Sequence, residues 1–406
     1  MNKNKSEGGA LPIINLLVSV IFVLASGVAG QLASTPKQDN PAVGLGALTN
    51  SDFRPPVELI LPNAPDHVKS VYLTGGSSGR QKYIDYVIEL AKTSQINAVV
   101  VDIKDYTGYV LYRTSDLIAP LVKEYGARKI AIGDIDGMIK KFHDAGIYVI
   151  ARIVVFQDTV LAEARPDLAI LKKYEPINSL SFPGFWTDRA GLMWVDPASE
   201  EVWSYNIAIA KDAISHGFDE INFDYIRFPS DGDLKNISYP FWDRETTTRH
   251  SAIKGFFKKL REELPSAKLS VDLFGLTTIN RDDLGVGQII EDAFLYFDYV
   301  CPMVYPSHYA KGFLMYDNPA DYPYEVVNYS MVRAMEKLRV FRLNNSGSTR
   351  NVYLRPWLQD FNLKAEYNAD MVKLEIKGTL DALGADDFKG FMLWNASNIY
   401  TEEAVE

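Results

Sequence analysis

The sequence predicts an α/β fold, specifically a (β/α)8 TIM barrel, because three observations agree. Short β-branched or aromatic runs alternate with amphipathic stretches from about residue 68 onward. The runs number eight, which is the number of parallel strands that closes such a barrel. Junctions that lead into the runs are short and often contain glycine, whereas those that leave them are long. Long connections after strands are typical of barrel enzymes, which build their sites from these loops.

Strands and helices alternate along the whole predicted domain. The predicted strands are Ser70–Thr74, Ala98–Ile103, Tyr148–Val155, Glu220–Asp224, Leu269–Phe274, Tyr299–Val304, Val352–Leu358 and Phe391–Trp394. The predicted helices are Gln81–Lys92, Ile135–Asp144, Glu200–Ser215, Thr248–Glu263, Val286–Leu295, Tyr324–Leu343 and Asp370–Leu383. A doubly wound open sheet is the alternative architecture, but no strand is followed by a GxGxxG or GxxxxGK[ST] phosphate-binding loop.

The amino terminus has the pattern of a targeting or anchoring segment. Lys3 and Lys5 precede an apolar stretch, Leu11–Val28, whose end is rich in small residues. The stretch suits both a cleaved signal peptide and a retained membrane anchor, and residues 1–30 are assigned to this segment. Residues 31–65, rich in Pro, Gly, Ser and Asn, predict a disordered linker, and residues 66–406 form the barrel domain. Either reading places the domain in a secreted form or on the outer face of the cytoplasmic membrane.

Composition and charge exclude several functional classes. Lys and Arg total 42 and Asp and Glu total 52, so the net charge is −10, which disfavours a nucleic-acid-binding protein. The single cysteine, Cys301, cannot form an intrachain disulfide. The five histidines are far apart in the sequence, so we predict no metal. We also expect no cofactor and a monomeric protein.

The fourth strand carries the sharpest functional signal, FDEINFDYIRFP over residues 218–229. Strand periodicity puts Glu220, Asn222 and Asp224 on one face, directed into the barrel, with Asp224 highest at the catalytic rim. An inward carboxylate is costly unless it is paired or used. Asp224 is therefore either catalytic or engaged in an ion pair with Arg227 that fixes the loop. Glu220 and Asn222 lie deeper and predict a structural polar layer.

The fifth strand repeats this arrangement with Ser270 and Asp272 on its inner face. Neighbouring strands lie about 4.8 Å apart, so Asp224 and Asp272 can flank one bond. Glycosidic hydrolysis needs such a pair, because one carboxyl protonates the leaving oxygen while the other attacks carbon or activates water. Close carboxyls also push their pKa values apart. The alternative is that Asp272 only supports Asp224 or a loop amide.

Other strand ends supply candidate substrate-binding residues. Tyr305 and His308 follow the sixth strand, and Arg227 follows the fourth. Trp357 and Asp360 lie at the end of the seventh strand, and Trp394 and Asn395 at the end of the eighth. For each aromatic residue, core packing is an equal alternative to sugar stacking. Asp102 either pairs with Lys104 or contacts substrate, and Arg152 either orients a catalytic carboxylate or neutralises the barrel floor. Four aromatic residues of the long third loop form either a cleft wall or a loop core: Phe182, Phe185, Trp186 and Trp194.

From Val71 to Trp394 the chain resembles the bacterial putative glycosyl hydrolase domain family, a barrel distantly similar to α-amylase-type glycosidases. The resemblance rests on VVVDIKD, ARIVVFQD, FDEINFDYIRFP, SVDLFG, RPWLQDF and GFMLWNASN. The resemblance implies that Asp224 is the nucleophile and that Asp360 binds sugar hydroxyls. Amylases have a glutamate as the acid where this chain has the shorter Asp272.

The sequence as a whole predicts a glycoside hydrolase that cleaves an extracellular or cell-wall polysaccharide with Asp224 and Asp272. A surface glycan-binding barrel without turnover is the alternative. A polysaccharide deacetylase is disfavoured, because no His/Asp metal cluster is recognisable. Retaining and inverting mechanisms differ in carboxyl separation, which the sequence does not supply.

Overall fold

The computed structural model describes residue 61 and residues 63–173, 184–347 and 351–406. The predicted apolar segment Leu11–Val28 lies outside the described residues, as does nearly all of the predicted linker. Within the described ranges, no helix combines the length and the apolar character needed to cross a membrane.

Eight parallel strands form a closed barrel, as predicted. They are β1 (Val68–Leu73), β2 (Ala98–Lys104), β3 (Tyr148–Val154), β4 (Glu220–Asp224), β5 (Leu269–Phe274), β6 (Tyr299–Met303), β7 (Tyr353–Leu354 with Trp357–Gln359) and β8 (Gly390–Trp394). Each strand pairs in parallel with the next, and β1 pairs with both β2 and β8. Because the ring closes, the alternative of an open doubly wound sheet is wrong.

The seventh strand is interrupted where the sequence predicted a continuous run. Tyr353–Leu354 pairs with the start of β6, and Trp357–Gln359 pairs with β8. Pro356 has no N–H to donate to the ladder, which explains a break at Arg355-Pro356.

Helices cover the outside of the barrel. They are α1 (Gln81–Thr93), α2 (Ile135–Asp144), α3 (Glu200–Ser215), α4 (Arg249–Glu263), α5 (Ile290–Phe294), α6 (Pro323–Asn344) and α7 (Ala369–Asp387). Helix α5 is shorter than predicted, because Gly285 and Gly287 before it have positive φ angles of 68° and 85°. A Cβ at Gly287 would lie 2.8 Å from Ile253, so α4 also approaches the backbone closely there.

The long connections after strands contain further short elements. They are helices Gly75–Ser78, Ala119–Glu124 and Thr159–Ala164, strands Val110–Tyr112, Arg128–Ile132, Leu171–Lys172 and Ile237–Ser238, and 3-10 turns Leu234–Asn236, Gly275–Thr278, Pro306–His308, Phe313–Met315, Pro319–Asp321 and Glu402–Ala404. Leu171–Lys172 and Ile237–Ser238 pair as a two-stranded ribbon. These insertions build up the C-terminal face of the barrel, where the sequence placed the site.

The apolar core has two parts. The larger part lies between the strands and the helices. The smaller part includes inward residues of β1, β2, β3 and β8, among them Tyr72, Val100, Ile150 and Met392. Charged and polar side chains share the barrel interior with this smaller cluster.

Candidate active site

Three carboxylates and one guanidinium meet at the C-terminal ends of β2 to β5. Arg152 Nη1 donates to Asp102 Oδ1 at 2.5 Å, and Arg152 Nη2 donates to Asp224 Oδ2 at 2.5 Å. Arg152 Nε lies 3.8 Å from Asp272 Oδ2. All four side chains are more than nine-tenths buried. We call Asp102, Arg152, Asp224 and Asp272 the carboxylate cluster.

Strand register explains why these residues converge. Asp102 is opposite Arg152, Arg152 is opposite Asn222, and Asn222 is opposite Ser270. Asp224 and Asp272 each follow by two residues and so point inward from the next layer toward the rim. The residues between them along the strands are apolar and pack outward, as the alternation predicted.

Asp224 is the last residue of β4 and is held by two donors. Besides Arg152, the backbone N–H of Tyr225 donates to Asp224 Oδ1 at 2.6 Å. Tyr225 has φ +53°, a left-handed conformation that is uncommon for a residue with a side chain. Such backbone strain clusters at functional sites. The predicted alternative, an ion pair between Asp224 and Arg227, is wrong because Arg152 is the partner.

Asp272 has very different surroundings from Asp224. Its side chain is 1% exposed, its Oδ1 accepts from Asn222 Nδ2 at 2.8 Å, and its Oδ2 has no hydrogen-bond partner among the described residues. Burial raises the pKa of Asp272 well above its usual value, and the charge of Asp224 adds to this effect, while the charge of Arg152 and the side-chain N–H groups of Asn222 and Trp357 oppose it. The two neighbouring carboxyl groups therefore differ: Asp272 is buried with one oxygen unpartnered among the described residues, whereas Asp224 accepts from two donors.

Arg152 holds the cluster together electrostatically. Burial lowers its pKa, but the charges of Asp102 and Asp224 more than compensate, so the pKa of Arg152 lies well above its usual value. Of the two predicted roles for Arg152, the structure shows the first, because the side chain contacts a candidate catalytic carboxylate. The barrel floor has its own cation, Arg355, which forms a fully buried ion pair with Glu220.

Tyr72 is a member of the site that the sequence reasoning missed. Its hydroxyl donates to Asp102 Oδ2 at 2.5 Å, and its ring stacks on Trp394 with a centroid distance of 4.0 Å. Burial raises the pKa of Asp102, while Arg152 and the Tyr72 hydrogen bond lower it. Strand periodicity contained the signal, since Tyr72 shares its face of β1 with Ser70.

Aromatic rings form one side of the cluster. Trp357 is 1% exposed and meets Trp394 edge to face at 5.6 Å, so Trp357 is a core residue as well as a neighbour of the site. Trp394 is partly exposed, and the Arg152 guanidinium lies 5.2 Å from its ring centroid. Burial raises the pKa of Tyr305 well above its usual value, and the nearby charges of Asp272 and Asp224 raise it further. Its hydroxyl makes no hydrogen bond within the described chain and remains a protonated donor.

Three other predicted binding residues lie apart from the cluster. Asp360 accepts two hydrogen bonds from Thr401, at 2.9 and 2.6 Å, and the Asn395 side chain bonds the backbone of its own loop. Both line a cavity of about 340 Å³ beside the ends of β7 and β8. His308 packs on Tyr305 and Phe361, and burial lowers its pKa to about 4, so it is neutral at neutral pH.

Arg227 lies at the rim but binds neither carboxylate of the candidate pair. Its guanidinium faces the rings of Trp194, Tyr225 and Phe274 at 4.8, 5.0 and 4.8 Å. Phe274 is two residues beyond Asp272 on β5, which places this cation next to the cluster.

Two further expectations are corrected or decided. Lys104 does not pair with Asp102, since it forms a fully buried ion pair with Asp158 at 2.8 Å and donates to the carbonyl of Val154. Trp186 and Trp194 are each 1% exposed and belong to the larger apolar cluster, whereas Phe182 lies outside the described residues. Of the described part of the chain, no group of three or more His, Cys, Asp or Glu side chains is arranged to hold a metal ion.

The deeper polar layer predicted on β4 is present. Asn222 Nδ2 donates to Ser270 Oγ at 3.1 Å as well as to Asp272. Glu220 binds Arg355, and the Tyr148 hydroxyl lies 3.3 Å from Glu220 Oε2. These contacts pair many of the inward polar groups below the cluster, although Asn222 Oδ1 and two guanidinium nitrogens of Arg355 have no hydrogen-bond partner among the described residues.

The chain is similar to several solved structures, and the first two described here show the same fold at low sequence identity. The glycoside hydrolase domain of PgaB (BpsB) from Bordetella bronchiseptica is 12% identical with a TM-score of 0.53, covering 82% of this chain and 95% of that one. The chitobiase of Flavobacterium johnsoniae is 13% identical with a TM-score of 0.50, covering 83% and 47%. A hypothetical protein from Ruminiclostridium thermocellum ATCC 27405 is 39% identical over 53% of this chain and 98% of its own, with a TM-score of 0.44. No curated protein matches the sequence.

One family model matches nearly the whole folded domain. The match covers residues 70–400, from β1 to the segment that follows β8. It includes every strand that contributes to the carboxylate cluster. The chain therefore belongs to the putative glycosyl hydrolase domain family.

Proposed function

We propose that this barrel is a glycoside hydrolase in which Asp272 is the general acid and Asp224 is the nucleophile or the general base. The observation that supports this assignment is the contrast between the two side chains. Asp224 accepts from Arg152 and from the Tyr225 N–H. Asp272 is buried with one unpartnered oxygen, and its pKa is raised well above the usual value. Two carboxyls with opposed environments are the pattern that glycosidases use to assign acid and base roles.

The remaining cluster residues have supporting roles in this proposal. Arg152 orients Asp224 by a charge-assisted hydrogen bond. Tyr72 and Asp102 fix Arg152 from the other side. The Tyr305 hydroxyl is a free donor for a substrate hydroxyl or for the charge that develops in the transition state.

The substrate that we propose is an extracellular or cell-wall polysaccharide. This rests on the N-terminal sequence, where basic residues precede an apolar segment as in exported or membrane-anchored proteins. Fractionation of cells that express the full chain, with protease added outside intact cells, tests this location. Protection of the domain inside intact cells would contradict it.

Reducing-sugar release from a panel of bacterial and plant polysaccharides tests the activity. We expect release by the wild type and a loss of about 10²- to 10⁴-fold in Asp224→Asn and in Asp272→Asn. Asp219→Asn is the matched control, since Asp219 stands at the opposite end of the β4 motif and binds Val149 N at 2.7 Å. Equal activity of all variants would move the chemistry to other groups. Glycan binding by the wild type without release would favour a binding barrel.

Azide rescue separates the two roles. If Asp224 is the nucleophile of a retaining enzyme, azide should restore turnover of an activated substrate by Asp224→Gly and yield an azide product of inverted configuration. With Asp272→Gly the product should keep the configuration of the substrate. The reverse pattern would exchange the two roles.

A further inference from the structure

Arg227 is a buried cation without a counter-ion. Its side chain is 8% exposed, and among the described residues no carboxylate lies within ion-pair distance of it. The chain has 52 acidic side chains and a net charge of −10, so a carboxylate partner would have been easy to supply. Burial lowers the pKa of Arg227, and the nearby charges, which would raise it, do not compensate.

The acidic side chains around Arg227 are bound elsewhere, and Asp224 binds Arg152. Asp188 accepts from Gln157 Nε2 at 2.6 Å and from Trp194 Nε1 at 3.0 Å. Asp231 accepts from the backbone N–H of Arg189 at 3.0 Å. Both carboxylates therefore stabilise the loops around Arg227 instead of pairing with its guanidinium.

One edge of the guanidinium is left open. Nη1 donates to the Phe228 carbonyl and to Ser230 Oγ, both at 3.1 Å, while three aromatic rings cover the faces. Nε and Nη2 donate to no described residue. Neither atom is fully buried, so both are accessible to solvent. The parallel Nε–H and Nη2–H bonds form the fork that binds a planar carboxylate through both oxygens.

The open edge lies beside the candidate catalytic pair. Arg227 follows Asp224 by three residues and contacts the Tyr225 ring, whose N–H binds Asp224. It also contacts Phe274, the last residue of β5, two positions after Asp272. A ligand group held by Arg227 would therefore belong to a sugar bound at or next to the scissile bond.

We propose that Arg227 binds the carboxylate of an acidic sugar residue, so that the substrate is a uronic-acid-containing polysaccharide. This inference rests on the proposed function, because it assigns the substrate class of the same site. Burial of a guanidinium without a paired anion is costly, and cation–π contacts offset only part of that cost. The bound carboxylate would supply the missing partner, whereas a neutral sugar would leave the cation unpaired. The preference for acidic glycans thus follows from the unpaired edge.

Binding to a turnover-deficient protein tests the inference. Titration calorimetry uses Asp224→Asn with a galacturonate hexamer, a hyaluronan hexasaccharide and the same oligosaccharides after chemical reduction of their carboxyl groups to alcohols. We expect at least one acidic oligosaccharide to bind about 10- to 100-fold more tightly than its reduced form. Adding Arg227→Met should abolish that ratio, and adding Arg227→Lys should retain part of it, because lysine keeps the charge without the fork.

Two controls separate binding from folding and from overall charge. Arg189→Met removes an exposed arginine of the neighbouring loop and should leave the ratio unchanged. Thermal unfolding checks that Arg227→Met remains folded. If it does not fold, Arg227→Lys alone decides the matter through the ratio.

The outcomes distinguish this inference from the proposed function. Equal binding of acidic and reduced oligosaccharides, or a ratio that survives Arg227→Met, would overturn the role of Arg227 even if the wild type hydrolyses neutral polysaccharides. An Arg227-dependent preference without any Asp224-dependent hydrolysis would support the carboxylate site and contradict the glycosidase proposal. Failure of all acidic probes to bind would also overturn the inference.

Discussion

Asp272 is a buried carboxyl whose ionisation should lower the stability of the folded protein. Its pKa in the folded protein is raised by burial and by the charge of Asp224. The folded state therefore binds a proton more tightly than the unfolded chain, whose aspartate pKa is about 3.9. As pH rises from about 4 toward the raised pKa, the folded protein loses stability relative to the unfolded chain. An uncharged substitute would not carry this penalty.

We therefore expect Asp272→Asn to be more stable than the wild type near pH 7.5, with a difference that shrinks toward pH 4. The amide oxygen can still accept from Asn222, and the atom that replaces Oδ2 loses no hydrogen bond. Thermal unfolding at several pH values measures the difference. Asp212→Asn is the matched control, because both Asp212 oxygens accept hydrogen bonds from Tyr112 and Ser115, and it should be destabilised. A destabilised Asp272→Asn at pH 7.5 would show that Asp272 is ionised in the folded protein.

Arg152 should be the residue of the cluster whose loss costs the most stability. Arg152→Met would leave Asp102 and Asp224 buried without their cation, a change that typically costs about 3–5 kcal/mol. Adding Asp102→Asn removes one of the stranded charges and should recover part of the loss. Urea unfolding of the wild type, of Arg152→Met, of Asp102→Asn and of the double variant gives the coupling energy between the two side chains. A single variant within 1 kcal/mol of the wild type would contradict a tightly coupled cluster.

Side-chain directions were predictable where strand periodicity determines them. The inward set Glu220, Asn222 and Asp224 and its neighbour Asp272 follow from period two and from the register of parallel strands. Ion-pair partners were not predictable in this way. Arg152 rather than Arg227 binds Asp224, because the partner comes from a strand far away in sequence. Local spacing suggested Arg227, but the side chain turns instead toward aromatic rings of another loop.

At the scale of elements, the closure between β1 and β8 depends on a glycine. Gly390 begins β8 with φ +103°, and a Cβ there would lie 1.8 Å from the Val68 carbonyl oxygen of β1. Gly146 also has a positive φ, +73°, but a Cβ there would meet nothing within 4 Å. Both glycines therefore have positive φ angles, but only Gly390 lacks room for a Cβ atom.

We expect Gly390→Ala to destabilise the protein by more than 3 kcal/mol and Gly146→Ala by only about 1–2 kcal/mol. The first change combines backbone strain with a clash that separates the strands that close the ring, whereas the second has strain alone. Urea unfolding curves of both variants provide the comparison. Equal losses would mean that strain, not the contact with Val68, dominates at Gly390.

The order of elements was predictable because each strand and helix has its own periodic pattern. The exact limits of two elements differ from the prediction because single residues determine them. Pro356 divides β7, and Gly285 and Gly287 shorten α5. Two aromatic side chains of the third loop, Trp186 and Trp194, are buried in the larger apolar cluster of the domain.

For the whole molecule, the limits of the folded domain can be argued from its interior. Sequence composition placed the start of the domain at residue 66. Leu61, however, is 8% exposed and belongs to the apolar cluster that includes Val68, Ala98 and Tyr148, the first residues of β1, β2 and β3. Leu61 therefore covers the N-terminal end of the barrel, opposite the carboxylate cluster. Composition missed it because one apolar residue among prolines and polar residues has no periodicity.

A barrel that is closed at one end by Leu61 should lose stability when that side chain is truncated. We expect Leu61→Ala to lower the free energy of unfolding by about 2 kcal/mol, the lower end of the range for a buried leucine. A chain that starts at residue 66 should show the same loss. Leu234→Ala is the matched control, since Leu234 is 45% exposed and its truncation should cost less than about 0.5 kcal/mol. Urea unfolding measures all three. If residues 66–406 are as stable as the full chain, the barrel end is closed by the strands' own side chains, and the boundary at residue 66 stands.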